Sequence, residues 1–549
     1  MKEKVRMAHD TTQVVIAGGG PVGMTLALEL AHHGVHSILL ERNASTTRHP
    51  KMDLTNGRSM EHFRRLGVVQ ALRAAGVPPS EPHDVVWATS ATGYVLHRFA
   101  YPSADGYRDR VRVCNDGTGT LEPSMRVSQI VLEPVLKAQI DASRYVDVRF
   151  GCAYEAFEQD ADGVTTTVRN AGSGETQLIR SHFLAGCDGG GSAVRRDAAI
   201  TLTGQHAVAE AYMVHFRSTA YDVLAKFGIS YHLQTARGTI IAQNGKDIWT
   251  LQTLAPPDSD PDELLRAFVG RDFEYEILVA NPWTPHLVTA DSYRSERVFL
   301  AGDSAHQVIP TGGYGMNTGV GDAVDLGWKL AAFVNGWGGE TLLNSYEAER
   351  RPIAEQNAAT ALQNLEVRLA IADAIAGGEA LGDLNTSDLS TVRIEVGRKI
   401  AKLGNAENES WGIEHGYRYQ PSPVVQPSAD LPAFDPVRCP SFAVAGGRLP
   451  HYYLADGSAL FDRLGREFSL IVIGHQDVDP AVRAAAEMSI PLTTIILQSE
   501  EILNNLGARL LLVRPDQHVA WLGTAAPDSW TSIFAMAAGL GQDSNLAAA

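Results

Sequence analysis

The chain has 549 residues, of which 44% are hydrophobic and 20% charged, and its formal net charge at pH 7 is -17. This length is too great for one hydrophobic core, so we expect two or three domains of ordinary globular composition. The negative charge argues against nucleic acid as a partner, because binding a phosphate backbone requires clustered lysine and arginine.

Targeting signals and cysteine spacing give two further expectations. The residues before Thr11 lack the apolar core of a signal peptide, and no apolar run approaches the length of a membrane span. The cysteines are scattered, without a CxxC pair or metal-ligand spacing: Cys114, Cys152, Cys187 and Cys439. We therefore expect a cytoplasmic protein with reduced cysteines, no metal and no membrane partner.

The first predicted unit is a strand, a helix and a second strand, at Val14–Ala17, Gly23–His33 and Ser37–Leu40. The crossover of such a unit is right-handed. Glu41 ends the second strand, about twenty residues beyond the first turn, where a carboxylate can accept hydrogen bonds from ribose hydroxyls.

Three glycines join the first strand to the helix in the GxGxxG spacing. Gly18 allows the tight turn, Gly20 lets the backbone approach a pyrophosphate, and Gly23 lets the helix pack on the strand. The phosphates would lie at the helix N-terminus, beside Pro21 and Val22. The unit predicts a dinucleotide site, but this motif alone does not distinguish NAD from FAD.

Helices are next predicted at Arg58–Ala75 and Ile130–Ala142, and strands at Trp87–Phe99 and within 146–185. Asp53 lies just before the first of these helices, in "RHPKMDLTNG". From its neighbours alone it is either a helix-cap or turn residue or a functional acid.

Alternating segments between Tyr212 and Leu254 predict a separate β-sheet. On an alternating strand only one face can line a pocket, and the sequence does not say which face points inward. The polar or aromatic residues that we predict to bind substrate are Tyr212, His215, His232, Gln234 and Trp249. Packing within the sheet or exposure to solvent is the alternative for each of them.

A strand at Arg297–Ala301 is followed by Gly302 and Asp303, then by the loop "PTGGYGMN" and a long helix. The glycines of this loop leave backbone amides uncovered where the helix begins, and such amides stabilise negative charge. Apolar spacing predicts the buried face of the helix: Val320, Ala323, Val324, Gly327, Leu330 and Ala331.

The last third of the chain begins with a predicted helix at Thr341–Ala370. Mixed signals over 378–426 indicate a connector. A final α/β block follows from about Ser441, with strands at Phe468–Ile473 and Leu510–Val513 and a helix at Pro480–Met488.

Three motifs in order carry a family resemblance: "VVIAGGGPVG", "FLAGCDGGGSAVR" and "VFLAGDSAHQVIPTGGYGMNTGVGDAVDLGWKL". From Val14 to about Pro352 the chain resembles the FAD-dependent aromatic hydroxylases, the single-component flavoprotein monooxygenases that include phenol and para-hydroxybenzoate hydroxylases. The segment 446–474 resembles the start of the thioredoxin-like domain of the larger members. Because it has no CxxC pair, we expect no redox role for it.

The resemblance implies an α/β fold with four parts. These are a Rossmann-like FAD-binding domain (1–85, 106–205 and 290–370), an inserted, mainly β substrate domain (86–105 and 206–289), a helical connector (371–430) and a C-terminal thioredoxin-like α/β domain (431–549).

The resemblance also implies which residues hold FAD. Asp303 would meet the ribityl chain, Met316 and Asn317 would lie against the flavin ring, and Pro310 would line the side where oxygen reacts. The expected FAD contacts are Gly18, Gly20, Pro21, Val22, Gly23, Glu41, Arg42, Lys51, Arg126, Gln129, Asp188, Gly189, Gly302, Asp303, Gly313, Gly315, Met316 and Asn317. The residues alone also allow core packing for Met316, a structural turn at Asp188 and Gly189, and surface charge for Arg126.

Two positions qualify the resemblance. The family often has arginine where Lys51 stands, and lysine cannot form the planar fork of a guanidinium, so Arg48 and Lys51 are both candidate contacts to flavin or NADPH.

Asp53 matches an active-site aspartate of the phenol hydroxylase branch. A phenol has a pKa of about 10 and a free aspartate about 4, so full proton transfer is uphill by about 8 kcal/mol. We therefore expect Asp53 to accept a hydrogen bond that strengthens during ring attack.

The predicted activity is hydroxylation of a phenolic substrate with O2 and NADPH or NADH, through a C4a-hydroperoxyflavin. The nicotinamide cofactor would dock transiently, and the resemblance suggests a homodimer. A polyketide-type hydroxylase, or an enzyme that inserts oxygen next to a carbonyl, is the alternative. Two interpretations come from other classes of protein. One is an NAD-linked dehydrogenase that uses the first motif, and the other is a flavin-binding scaffold that works through its C-terminal domain.

Overall fold

The computed structural model describes residues 10–428 and 431–541. Within these ranges no helix is long and apolar enough to cross a bilayer. In chain order the helices are α1 (Pro21–His32), α2 (Gly57–Arg65), α3 (Val69–Ala75), α4 (Ala104–Cys114), α5 (Gln129–Asp141), α6 (Ala193–Asp197), α7 (Tyr221–Leu224), α8 (Pro261–Val269), α9 (Tyr314–Val334), α10 (Glu340–Glu379), α11 (Ser390–Leu403), α12 (Trp411–His415), α13 (Asp479–Glu487), α14 (Glu500–Leu506) and α15 (Trp530–Ala537).

The first core surrounds a six-stranded, mainly parallel sheet. From edge to edge its strands are Arg294–Ser295, Val298–Leu300, Phe183–Gly186, Val14–Ala17, Ser37–Glu41 and Val146–Phe150. The strand at Val14–Ala17 is buried along its whole length, as expected in a parallel sheet covered on both faces. Three neighbouring strands end at one edge of this sheet, and the three glycine-containing motifs begin there.

The second core surrounds a seven-stranded sheet. Its strands, in spatial order, are Glu276–Trp283, Ala211–Arg217, Ile248–Leu254, Gly238–Ala242, His232–Thr235, Val85–Ala88 and Val95–Phe99. One face packs on α8 through Leu265 and Phe268. On the opposite face, Val85 and Trp87 pack on α10 and α11, which leaves the rest of that face directed at the first core.

Smaller sheets complete the first half of the chain. A four-stranded sheet contains Asp10–Thr11, Thr176–Ser181, Gly163–Asn170 and Cys152–Asp160, and a three-stranded sheet contains Leu202–Gln205, Leu287–Ala290 and His306–Gln307. A two-stranded pair of Leu54–Thr55 with Met125–Arg126 fixes the segment around Asp53.

The C-terminal block has the expected thioredoxin-like arrangement. Its sheet contains, in order, Leu492–Leu497, Phe468–Ile473, Leu510–Val513 and Val519–Gly523, with the first pair parallel and the others antiparallel. Helices α13 and α15 cover one face together with Trp328 of α9, whereas α14 covers the other. No cysteine follows Cys439 in the sequence, so this domain has no dithiol.

Two predicted helices are wrong in extent. The helix predicted over Arg58–Ala75 is divided into α2 and α3, because Gly67 adopts a φ of +77° just after α2 ends. The helix predicted over Thr341–Ala370 is α10, which has 40 residues and passes through Pro352. The boundary that we expected at residue 371 therefore falls inside a continuous helix, and the other domain bounds stay a proposal.

A buried cluster of charges docks the C-terminal domain on α9 and α10. Arg514 donates to Glu349 Oε1 and to Asp325 Oδ1, each over 2.7 Å. Lys329 donates to the other oxygens of the same carboxylates, over 2.7 Å to Asp325 and 2.6 Å to Glu349. All four side chains are fully buried. Burial would raise the pKa of Glu349, but Arg514 and Lys329 hold it below its usual range.

We predict that Arg514→Met destabilises the protein by about 3–5 kcal/mol, because it leaves buried carboxylates short of one cation. Urea unfolding followed by tryptophan fluorescence would measure the loss. The control is Arg463→Met, which removes an exposed ion pair with Asp456 and hydrogen bonds to Ser458, and should change stability by less than about 1 kcal/mol. Equal effects of the two substitutions would contradict a docking role for Arg514.

Candidate functional site

The glycines after Val14–Ala17 create an open recess at the N-terminus of α1. Gly18 has a φ of +112°, and a Cβ there would lie 2.2 Å from the carbonyl oxygen of Cys187. A Cβ on Gly23 would lie 2.0 Å from the oxygen of Gly18. Gly20, by contrast, borders open space, and no heavy atom lies within 4 Å of a Cβ built on it. The helix has no side-chain cap and no acid in its first turn, so its amides can meet an anion.

Pro21 and Val22 support this recess from within. Pro21 occupies the first turn of α1, where its missing N–H costs no hydrogen bond. Val22 packs so tightly on the next motif that a Cβ on Gly302 would lie 2.8 Å from Val22 Cγ2. Glu41 lies beside the same turn, and its Oε2 accepts a 2.8 Å hydrogen bond from the amide of Gly19. Its position at the strand end suits the predicted contact with ribose.

The turn at Asp188 is held by its own hydrogen bonds. The Asp188 carboxylate accepts from the amide of Ala193 over 2.7 Å and from that of Val194 over 3.2 Å, at the start of α6. This is the structural turn that the residues alone allowed. Gly189 has a φ of +81° and no neighbour within 4 Å of a Cβ built on it. Arg195 donates to the oxygen of Ser304 over 2.9 Å, which ties this turn to the Asp303 motif.

Asp303 lies inside a cleft. Gly302, with a φ of +63°, begins a short turn in which the Gly302 amide donates to Asp322 Oδ2 over 3.1 Å. The Asp303 side chain is accessible to solvent, yet enough protein surrounds it that burial raises the pKa of its carboxyl. The charges of His306 and Lys51 oppose that rise. An accessible carboxylate with these properties can meet a hydroxyl-rich ligand at the bottom of the cleft.

The loop 310–313 leads into α9 and leaves its N-terminus open. Gly313 is the N-cap residue with a φ of +67°, and the first turn contains neither a side-chain cap nor an acid. No heavy atom lies within 4 Å of a Cβ built on Gly315. Pro310 is exposed, and Met316 is half-buried against the first core. This second uncapped helix end can stabilise negative charge on a ligand.

The Asn317 side chain has a structural role in addition to the one predicted. Its Nδ2 donates to the oxygens of Leu54 and Gly313 over 3.1 and 2.7 Å. Its Oδ1 accepts from the Asn56 amide over 3.0 Å and from Ser59 Oγ over 2.8 Å. Because these protein groups use the whole carboxamide, the side chain fixes α9 to the segment after Asp53, and the predicted contact with the flavin ring stays a prediction.

The basic residues of the predicted set lie at the mouth of the cleft. Arg42, Arg48 and Lys51 are exposed. Burial raises the pKa of both Asp303 and Glu133, and the charge of Lys51 opposes both rises, so its ammonium lies near both carboxyls. Gln129 is buried, and its Nε2 donates to Glu133 Oε1 over 2.6 Å. This bond holds one end of the Gln129 carboxamide against α5, and its predicted contact with FAD stays a prediction.

Asp53 presents an unpaired carboxylate oxygen to the inner face of the seven-stranded sheet. Its Oδ2 is buried without a hydrogen-bond partner and lies 3.7 Å from Nε2 of His232. The helix-cap alternative is wrong, because Asn56 caps α2 by accepting from the Ser59 amide. Asp53 is instead anchored through its backbone, where its carbonyl accepts from the Val127 amide over 2.8 Å.

His232 is surrounded by further polar groups. Its ring stacks on Tyr231 with centroids 3.8 Å apart, and Gln234 Nε2 lies 3.4 Å from its Nδ1. Glu407 Oε1 lies 4.0 Å from the same Nδ1. Arg368 pairs with both oxygens of Glu407, each over 2.5 Å. The sequence analysis missed Glu407 and Arg368, since no motif relates two charged residues 39 positions apart on a helix and in a connector.

The sheet register decides which predicted substrate residues face this site. Leu233 shares the face that packs on α8, so His232 and Gln234 lie on the inner face, as does His215. His215 bonds to Thr250 Oγ1 over 2.9 Å, and burial lowers its pKa to about 4. The predictions for Tyr212 and Trp249 are corrected. Both belong to the core on the α8 side, and Trp249 Nε1 donates to the Ser218 oxygen over 3.1 Å.

Arg126 joins the two cores. It is buried, which rules out the surface-charge alternative. Its guanidinium donates to the carbonyls of Ser230 over 2.8 Å and Ile229 over 3.2 Å, and lies 5.7 Å from the centroid of Tyr231. The structure thus directs its side chain to the seven-stranded sheet instead of to the predicted FAD.

The helix N-termini and strand-end carboxylates of the predicted set fit FAD. Uncapped N-termini of α1 and α9 offer amides for anionic groups at two places. Glu41 and Asp303 end two strands of the same sheet, where carboxylates can accept from sugar-like hydroxyls. The space beside Gly20 admits a backbone-bound phosphate.

Comparisons with known proteins agree with this assignment. Residues 11–361 match the family described as FAD binding domain, and residues 443–541 match the aromatic-ring hydroxylase C-terminal domain. The FAD-dependent monooxygenase apdD of Emericella nidulans is 35% identical over 548 residues, covering 93% of this chain and 87% of its own. A putative polyketide hydroxylase of Streptomyces halstedii is 30% identical and covers 95% of each chain.

A solved structure extends the similarity to the whole fold. The rebeccamycin biosynthetic enzyme RebC with reduced flavin aligns with a TM-score of 0.85 and 32% identity, covering 97% of this chain and 100% of that one.

We predict that Gly20→Val folds but loses FAD, because its side chain would fill the open recess without contacting protein. Flavin absorbance per mole of purified protein measures retention. The control is Gly377→Val, also in open space but on the exposed side of α10, which should keep a full complement of flavin. Retention of FAD by the Gly20 variant would contradict a pyrophosphate at this turn.

Asp303→Ala should weaken FAD binding about 10- to 100-fold, the usual contribution of a hydrogen bond to a charged group. Titration of the apoprotein with FAD gives the dissociation constant. Asp291→Ala serves as the comparison, since the Asp291 carboxylate accepts within the protein from the amide of Thr201. An unchanged dissociation constant for the Asp303 variant would remove this residue from the site.

Proposed function

This chain belongs to the FAD-dependent aromatic-ring hydroxylases and is an FAD-dependent monooxygenase, and on that premise we propose that it hydroxylates a phenolic ring with O2 and NADPH or NADH. When bound and reduced, FAD supplies the activated oxygen. The residues of the protein bind the ring, orient its hydroxyl and exclude water.

One observation carries the phenolic assignment: the buried, unpaired Oδ2 of Asp53 faces Nε2 of His232 across 3.7 Å. This separation is too long for a direct hydrogen bond, and because 21% of the Asp53 side chain stays exposed, a substrate hydroxyl can reach its carboxylate. A buried carboxylate oxygen without a donor is unfavourable, so a substrate hydroxyl that donates to it gains affinity. Leu54, the next residue, accepts from Asn317 in the α9 turn and so holds this acceptor beside the predicted flavin loop.

The reaction needs the hydroxyl to become a stronger donor as the ring is attacked. Ring attack by an electrophilic oxygen draws electron density from the phenol and makes its O–H more acidic. A carboxylate that accepts this bond stabilises the transition state more than the ground state, which is what accelerates a reaction. The substrate hydroxyl therefore does not need to lose its proton to Asp53 before the ring is attacked.

The electron donor would dock at the exposed basic residues of the cleft mouth, Arg42, Arg48 and Lys51. Their charges suit the phosphates of a pyridine nucleotide. The sequence contains no second GxGxxG unit, so we propose transient docking. The expected homodimer stays a prediction that light scattering on the purified protein would check.

A polyketide-type hydroxylase is the second candidate. The relative from Streptomyces halstedii that carries the name putative polyketide hydroxylase matches 95% of this chain, which favours it. The chemistry at Asp53 would be unchanged if such a substrate presents a phenolic hydroxyl.

A screen of phenols for stimulated NADPH and O2 consumption, with product identification by mass spectrometry, tests the proposed function. We expect a phenolic substrate to yield a product heavier by one oxygen. Consumption that yields only peroxide with every phenol, or no stimulation at all, would overturn the proposal.

Asp53→Asn should reduce coupled product formation about 100-fold, within the range of general acid–base contributions, because an amide oxygen is a weaker acceptor. NADPH consumption should continue and release peroxide. The ratio of product to NADPH measures the effect. Asp373→Asn, on the exposed side of α10, is the matched control and should leave the ratio unchanged. Full coupling in the Asp53 variant would refute the role.

A further inference from the structure

The carboxylate of Asp303 is directed by the backbone that carries it. Asp303 is exposed in the cleft, and within the described part of the chain its side chain makes no hydrogen bond. It lies in the middle of the short turn Gly302–Ser304, which Gly302 begins with a φ of +63°. The group that fixes the Gly302 peptide therefore also determines where the Asp303 carboxylate points.

Asp322, two turns inside α9, is the side chain that fixes this peptide. Its Oδ2 accepts from the Gly302 amide over 3.1 Å and lies 2.7 Å from Nε2 of His306. Its Oδ1 accepts from Nε of Arg350 over 2.8 Å. All three of these side chains are buried. Both oxygens of one buried carboxylate are thus occupied, and one of them holds the start of the Asp303 turn.

The neighbours of Asp322 keep its carboxyl ionised. Burial would raise the pKa of this carboxyl, but His306 and Arg350 hold that pKa below its usual range. An ionised carboxylate is an acceptor only, so each neighbour must present a proton to it. The Gly302 N–H is therefore directed into the protein, whereas Asp303 in the same turn is left on the cleft side.

Arg350 reaches Asp322 from α10 across a glycine. Its Nη2 donates to the Thr318 oxygen over 3.0 Å, and a Cβ on Gly321 would lie 2.7 Å from the same nitrogen. A side chain at position 321 would therefore displace the guanidinium. Because of this close approach, the cation that balances Asp322 is held in place by the backbone of α9.

We propose that Asp322 is a positioning residue for Asp303: through the Gly302 peptide it directs the Asp303 carboxylate at FAD and so sets the affinity for FAD. Asp322 is fully buried, so it acts through the turn and does not contact the cofactor. His306 and Arg350 support it by holding its two oxygens. The inference concerns cofactor binding and is independent of the substrate.

Titration of the apoprotein with FAD tests this inference without substrate or NADPH. Asp322→Asn keeps the size of the side chain but replaces one oxygen with an NH2 group, which must then face a donor, either Arg350 or Gly302 with His306. We expect the dissociation constant of FAD to rise at least about tenfold, comparable to the loss of one hydrogen bond to a charged group. Unchanged FAD binding by the Asp322 variant would overturn the inference.

Asp325→Asn is the matched control. Asp325 is also fully buried on α9 and also pairs with two cations, Lys329 and Arg514, but these belong to the cluster that docks the C-terminal domain. This substitution should lower stability to urea as Asp322→Asn does, yet change the dissociation constant of FAD by less than about twofold. Equal weakening of FAD binding by both variants would overturn the inference, because it would assign the effect to a general loss of stability.

A double-mutant cycle tests whether Asp322 acts through Asp303. If it does, adding Asp322→Asn to Asp303→Ala weakens FAD binding further by less than about twofold. Independent roles would instead multiply, with a further loss of about tenfold or more beyond Asp303→Ala. That second result would contradict a positioning role, and a merely structural contribution of Asp322 would produce it.

His306 offers a second pair of variants, which keeps the inference testable if Asp322→Asn does not fold. His306→Gln retains a side-chain N–H for Asp322 Oδ2, whereas His306→Leu does not. We expect the first to bind FAD within about twofold of the parent and the second to bind it about fivefold or more weakly. Equal FAD affinity of these two variants, with circular dichroism showing both folded, would overturn the inference.

Discussion

The carboxamide of Asn317 holds the two halves of the site together. It donates to Leu54 and Gly313 and accepts from Asn56 and Ser59, so both of its donors and its oxygen are used. These bonds fix the uncapped end of α9 relative to the segment that carries Asp53. Aspartate would lose the donors and leucine would lose both donors and acceptor, which leaves buried backbone groups unpaired in either case. Together with the strand pair of Leu54–Thr55 and Met125–Arg126, this side chain sets the distance between the predicted flavin loop and Asp53.

The other end of the same helix is embedded in the C-terminal domain. Trp328 belongs to the core formed with α13 and α15, and Asp325 and Lys329 belong to the buried charge cluster with Arg514. Helix α9 therefore connects the loop at the site to a domain without a CxxC pair. In this account the C-terminal domain acts by packing, because it holds α9 in place.

The sequence predicted those parts of the site that depend on short-range backbone geometry. The GxGxxG turn, the acid after the second strand and Asp303 after the third motif all lie where strand ends meet, because parallel strands bring them to one edge. Asp53, predicted as an active-site acid, lies 3.7 Å from His232 in the structure, and its role stays a prediction.

The sequence could not predict which face of each strand points inward, or which residues far apart in the chain lie in contact. Because side chains alternate between the two faces of a strand, the sequence favoured Tyr212 and Trp249 as substrate residues as much as His215. The structure places both in the core on the α8 side of the sheet. Arg126 and Asn317 matched family positions, but their hydrogen bonds go to carbonyls and amides whose locations only the fold supplies. Glu407 and Arg368 come from segments that carried no motif.

The most direct test of the account is hydroxylation under oxygen-18 gas with a phenol that stimulates NADPH consumption. The account predicts one labelled oxygen in the product for each NADPH consumed, attached to the phenolic ring. An unlabelled product, or label confined to an ester or lactone formed beside a carbonyl, would contradict the assignment of this site to ring hydroxylation.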